Sequence, residues 1–304
     1  MIFTDHYVDQ VRESDLVKNL KKGLIEMDNS EFTHHVGCEV SGINYGALRR
    51  VNARSRSPLA FGSAVHVGLE EFFRGNDKYL DLAQAEAVRT ELDSMGDGRR
   101  NSDRLDTILR AYALDYQMKP SMQFDLLSID GTPQVEQSFS VPLGRIPEIH
   151  TENFGTISPH IIWTGKIDLL TMFDDMIAPV DHKTTSVMGA KFVDDKVRSS
   201  QMLGYTHAAR YMSDQLFGGK KVFGVRINAL ASRSQGFEFA LFDIPMHEWK
   251  VQEWLQETLN YLAEWVLRLD RFLTTGVASP IREHCVTKYG KCSYFDVCDA
   301  IPKM

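Results

Sequence analysis

Cysteine is scarce in this 304-residue chain, which has four, and so is net positive charge, since 34 Lys and Arg against 41 Asp and Glu leave a formal charge of −7. Four cysteines would make two disulfides only in an exported protein. The amino terminus, Met1-Ile-Phe-Thr-Asp-His-Tyr-Val8, lacks the basic segment and apolar stretch of a signal peptide. No run approaches the roughly 20 apolar residues that span a bilayer. The expectation is a soluble, cytoplasmic protein without a membrane partner. Repeats, low-complexity tracts and Pro/Ser/Gly linkers are also missing, which predicts a single domain over 1–304, and 43% hydrophobic content is enough for one large core. The acidic balance argues against a protein that coats nucleic acid by summed phosphate neutralisation. Local basic groups stand out instead: Arg49, Arg50, Arg54 and Arg56; Arg99, Arg100 and Arg104; and Lys191, Lys196 and Arg198. Taken singly, each reads as a solvated face.

The densest signal is Ile161-Ile-Trp-Thr-Gly-Lys-Ile-Asp-Leu-Leu-Thr-Met-Phe173, then Asp174-Asp175, then Met176-Ile-Ala-Pro-Val-Asp-His-Lys-Thr-Thr185. β-Branched and aromatic residues on both sides of an Asp-Asp break predict a hairpin. Side chains alternate along a strand, so Asp181 and Lys183 share a face and His182 points to the other. Asp168 on the partner strand then converges with Asp181, while Gly165 permits close approach of a backbone or ligand. Hard oxygen ligands of this kind suit Mg2+ or Mn2+. The Asp-x-Lys spacing alone means little, because Asp194-Asp195-Lys196 and Glu248-Trp249-Lys250 also place an acidic group beside a lysine.

Two helical stretches flank the hairpin. Residues 58–73 carry an apolar face including Ala64, Val67 and Phe72, with Ser63 capping the start, His66 in the first turn and Glu70 one turn on. Residues 199–211 place Gln201 and Tyr205 four apart on one face. Glu136 falls in the alternating run Val135-Glu-Gln-Ser-Phe-Ser-Val141, where a plain exposed strand residue is the competing reading.

The ordered set Gly62-x-x-x-His66, Glu136, Gly165-x-x-Asp168, Asp181-x-Lys183 and Gln201-x-x-x-Tyr205 resembles the RecB-like branch of the PD-(D/E)XK nuclease superfamily, from about residue 58 to 211. The resemblance implies that His66, Asp168 and Asp181 ligate the metal with help from the His182 carbonyl. It implies that Lys183 orients or deprotonates the attacking water, that Gln201 and Tyr205 hold DNA or brace the site, and that Glu136 belongs to the catalytic set. It also implies a 5′-phosphate product.

The cysteines form a second signal: Cys38 early, and Cys285, Cys292 and Cys298 within a polar tail. One early and three late cysteines are similar to the iron-sulfur nucleases of the same branch, including AddB and the CRISPR-associated adaptation exonucleases. There a 4Fe-4S cluster joins the two ends of the fold, and four thiolates match its ligand demand. This chain departs in having six residues between Cys285 and Cys292 where those families have two. His284, His34 or His35 standing in for Cys285 therefore stays open, as do structural zinc and uncoordinated thiols.

The remaining chain frames this core. Residues 77–118, broken at Gly96-Asp-Gly98, predict two inserted helices. Residues 220–230 and 237–243 alternate as strands, and 246–275 predict a long helix with the stripe Val251, Leu255, Leu259, Leu262, Val266 and Leu269. The segment 276–304 is expected to pack with the Cys38 region. The fold expected is α/β, a PD-(D/E)XK restriction-endonuclease-like core with a mixed central sheet flanked by helices, a helical insertion and an iron-sulfur staple. The function expected is an Mg2+- or Mn2+-dependent deoxyribonuclease, an exonuclease trimming ends, with DNA and recombination, repair or replication proteins as partners. An endonuclease or CRISPR-type spacer-processing nuclease, and a DNA-binding scaffold that does not cut, are the competing readings.

Overall fold

A computed structural model of the chain describes residues 1–50, 57–233, 235–281, 285–287, 290–292, 294 and 298. They form a mixed α/β fold, and the chain divides into two compact units. The first comprises Met1–Ala53, Ser140–Gly165 and Gln252–Met304; the second comprises Arg54–Phe139 and Lys166–Val251. Among the described residues no helix is long and apolar enough to cross a membrane.

The second unit carries the hairpin. Its strands are His160–Phe173, which belongs to this unit from Lys166 onward, and Met176–Thr185, paired antiparallel from Phe173–Met176 back to Leu169–Val180. Asp174 and Asp175 both adopt positive φ, 47° and 61°, the geometry whose twist matches that of the strands it joins. Beyond Leu169–Val180 the ladder between these strands ends, and Met176–Thr185 pairs in parallel with Gly224–Ser232. The helix Ser200–Leu216 makes that parallel crossover, capped by the Ser199 side chain. Phe237–Pro245 adds an antiparallel strand at the edge.

Helices Ser57–Phe73, Tyr79–Arg89 and Ser102–Met118 cover this sheet through Ala60, Phe61, Ala64, Leu69, Leu105 and Leu109. Gly68 is needed where it stands, because a β-carbon there would lie 2.6 Å from a Leu109 methyl. Two local expectations are corrected here. Ser63 does not cap a helix start, because the helix already begins at Ser57, and its hydroxyl donates instead to Glu86 at 2.6 Å. For the same reason His66 lies in the third turn rather than the first. Val67 and Phe72 are only partly buried, with Val65, Leu69 and Phe73 taking the inward positions.

The first unit is mainly helical. Asp28 and Glu31 form a reciprocal capping box at the start of Asn29–Gly37. The strand Leu24–Met27 runs parallel to His160–Trp163. The long helix spans Glu248–Thr275 and belongs to this unit from Gln252. Leu262, Val266 and Leu269 are buried as expected, but Leu255 and Leu259 are only partly so. Trp254, Thr258, Trp265 and Phe272 carry the inward face, rotating the stripe from its expected centre. The buried Glu39 carboxylate is neutralised by both of its bonds to Arg271, each 3.0 Å, and accepts the Ser279 N–H at 2.7 Å.

Candidate metal and cysteine sites

In the second unit, the end of the hairpin ladder opens space between Asp168 and Asp181. With no partner on the first hairpin strand, the His182 N–H donates to Asp168 Oδ2 at 2.6 Å, so a carboxylate takes the place of a strand carbonyl. His66 brings Nδ1 to 3.6 Å from that same oxygen. One ligand atom from each of His66, Glu136 and Asp168 lies within 4.8 Å of the others. Asp181, 1% exposed, accepts from Lys183 Nζ at 2.7 Å through Oδ1, while its Oδ2 is buried without a hydrogen-bond partner. Gln201 Nε2 donates to the Tyr205 hydroxyl at 3.0 Å.

The electrostatics favour a cation. Three carboxylates, Glu136, Asp168 and Asp181, face two ammonium groups, Lys166 and Lys183. Burial raises the Asp168 pKa, with His66 opposing and the Asp181 charge adding to the rise. Burial also raises the Tyr205 hydroxyl, reinforced by Asp181 and Asp168, so Tyr205 remains a neutral donor. The orphaned Asp181 oxygen and the imidazole-carboxylate group both fit a divalent ion, because the first is buried without a hydrogen-bond partner and the second gathers nitrogen and oxygen donors within 4.8 Å. His66, Asp168, Asp181 and Glu136 are the residues that would hold it. Glu136, the plain strand residue of the competing reading, is drawn inward by a left-handed backbone, φ 53°.

His182 turns its ring away from the Asp181–Lys183 pair. The imidazole stacks on Phe73, with centroids 5.5 Å apart, and is buried. Asn228 Nδ2 pairs with its Nδ1 at 2.9 Å and also donates to the Tyr112 hydroxyl at 2.8 Å. Burial first, then the charges of His66 and Lys183, hold this histidine well below its ordinary pKa, so it stays neutral. Sequence reading missed Phe73, Tyr112, Asn228 and Lys166. Only Lys166 had a local signal: Gly165-Lys-Ile-Asp168 puts a lysine two residues from an aspartate, as Asp181-His-Lys183 does.

Several of the basic residues read singly as solvated faces also have partners within the chain. Arg49 pairs with Glu31, and Arg50 packs over Tyr7 and bonds Gln10 at 3.0 Å. Arg100 bonds Asp97, and Arg104 spans to the Arg233 carbonyl and lies over Phe237. Arg54, Arg56 and His284 lie outside the described residues. Lys196 is partly buried and close enough for the Lys183 charge to help burial lower its pKa.

In the first unit, Cys38, Cys285, Cys292 and Cys298 line one small cavity with Val40, Ser41, Ile281 and Tyr294. Cys38 arrives at an extended break between two helices, φ −167° and ψ 133°. The late three are brought together by backbone bonds, Cys292 N–H to the Cys285 carbonyl at 2.8 Å and Cys298 N–H to the Tyr294 carbonyl at 3.0 Å. None is in a disulfide. Neither His34 nor His35 lines the cavity. His34 bonds Ser41 at 2.6 Å and stacks on Tyr45, while His35 is buried against Trp265. Among the described residues, no three of the sulfurs lie within 4.8 Å of one another.

The hairpin's carboxylates and lysine, the His66 imidazole from the helix Ser57–Phe73 and the Glu136 carboxylate make a site of the kind that metal-dependent phosphodiesterases use. The chain belongs to the PD-(D/E)XK nuclease superfamily, whose family model matches residues 43–299. Membership implies a divalent metal and a nucleic-acid substrate. No curated protein matches the chain. Among solved structures, one titled "Crystal structure of SSO0001" is similar at 10% identity over 76% of this chain and 83% of that one, with a TM-score of 0.23. That score is too low to support any further inference.

Proposed function

We propose that this chain is an Mg2+- or Mn2+-dependent deoxyribonuclease that removes nucleotides from DNA ends in recombination, repair or replication. The observation that carries the reading is the joint presentation of His66, Glu136 and Asp168 beside Asp181 and Lys183. Bound there, the metal would polarise the phosphate and make bound water more acidic. Lys183, which donates to Asp181 at 2.7 Å, would orient the attacking water and steady charge developing on phosphorus-bound oxygen. Gln201 and Tyr205 form a neutral donor pair suited to bracing the site or holding the DNA backbone.

The four cysteines are assigned to a 4Fe-4S cluster that staples an early segment of the first unit to a late one. The support is the single cavity they line and the match of four thiolates to the ligand demand of such a cluster. The test of the enzymatic reading is digestion of end-labelled linear DNA and covalently closed circular DNA with Mg2+, Mn2+ or EDTA. Stepwise loss of label from linear DNA, with circles intact and EDTA inhibitory, is the expected result. Cutting of circles would replace the exonuclease with an endonuclease, and metal-independent or absent cutting would overturn the reading. An absorption spectrum of the same preparation near the iron-sulfur band tests the cluster.

A further inference from the structure

Lys166 is the site's second cation and has no role in the reading above. It lies two residues before Asp168 on one strand, and alternation puts both side chains on the same face. Its Nζ is 3.0 Å from Glu136 Oε2. Glu70, the other carboxylate on that side, is paired with Arg74 at 2.5 Å. Glu136 in turn has φ 53°, a left-handed conformation that a residue with a β-carbon holds only where its surroundings require it. The Glu136 carboxylate lies within 4.8 Å of the ligand atoms of His66 and Asp168.

We propose that Lys166 is a positioning residue of the cation site, holding the Glu136 carboxylate against His66 and Asp168 so that a three-residue ligand set exists before the ion arrives. The inference rests on the metal-dependent reading of that site. Two roles of a lysine here have opposite signs. As a positioning group it strengthens cation binding by pre-ordering a ligand, whereas as a bare positive charge it weakens binding by repulsion. The strained backbone of Glu136 decides for the first, because without its partner the side chain can relax away from the other ligands.

Isothermal titration of the full chain with Mn2+ separates these roles. Lys166→Met is expected to weaken Mn2+ binding by about tenfold, the scale of losing a group that orients a ligand. Lys166→Arg should restore most of it, and in a Glu136→Gln background Lys166→Met should have almost no further effect. Lys166 is exposed, and a thermal melt of each metal-free variant checks that the fold is retained. Unchanged or tighter Mn2+ binding by Lys166→Met, with the unaltered chain binding normally, overturns the proposal alone. Failure of the unaltered chain to bind Mn2+ overturns the nuclease reading and this proposal with it.

Discussion

The two units gather their chemistry by opposite means. In the second, His66, Asp168, Asp181, Lys183, Gln201 and Tyr205 all sit on regular helices and strands, and hydrogen bonds hold Asp168, Asp181, Lys183, Gln201 and Tyr205. In the first, the thiols arrive from a helix break and from short backbone-bonded turns. A reacting group must be held to a fraction of an ångström, which rigid elements do best. A covalent staple needs only donors within reach, because the ligand itself draws them together. On the proposed reading, turnover belongs to the second unit and stability to the first, a division that substitutions can break.

The largest effect is expected from Asp181→Ala or Lys183→Ala. Each should lower DNA cleavage by roughly 10³-fold or more, with the melting temperature almost unchanged, and EDTA should abolish the activity of the unaltered chain until Mn2+ is restored. Near-normal cleavage by either variant would dissolve the contrast. Cys292→Ser should do the reverse. Iron content and the absorption band fall, the melting temperature drops by roughly 10 °C, and residual cleavage per folded molecule persists at low temperature. An unaltered melt with unaltered iron would remove the cluster assignment.

A smaller effect is expected at His35. Burial holds its pKa down to about 3, far below the ordinary 6.5, so the folded state favours the neutral ring. Its stabilising contribution is complete above pH 6.5 and is lost as pH falls toward 3. His35→Gln, which cannot take the proton, should show a shallower loss of melting temperature over that window. Parallel pH profiles for the two proteins would refute the assignment. The smallest effect belongs to Tyr112→Phe, which removes the hydroxyl that Asn228 donates to. A cost of about 1 kcal/mol in chemical denaturation is expected, with cleavage changed only several-fold. A drop as large as that of Lys183→Ala would instead make the Tyr112–Asn228–His182 chain part of the catalytic apparatus.

Much of the second unit was legible because its signals are local. The hairpin follows from alternation on either side of Asp174-Asp175, and the Gln201–Tyr205 pair follows from helical spacing. Helix limits were less legible: the true start at Ser57 moved His66 two turns inward and gave Ser63 a different partner. The rotated face of the long helix was set by Trp254 and Trp265, large side chains whose burial outweighs the leucine spacing.

By itself the sequence determined the strand–turn–strand unit, the acidic pair with its lysine and the superfamily, since each depends on spacings of a few residues. Only the tertiary structure decided that Glu136 turns inward on a left-handed backbone, that Lys166 meets it across 30 positions of chain, and that Cys38 shares a cavity with three cysteines near the other end. The physical reason is that contacts between residues far apart in sequence form only when packing the whole chain repays the entropy of closing long loops, so no local pattern records them.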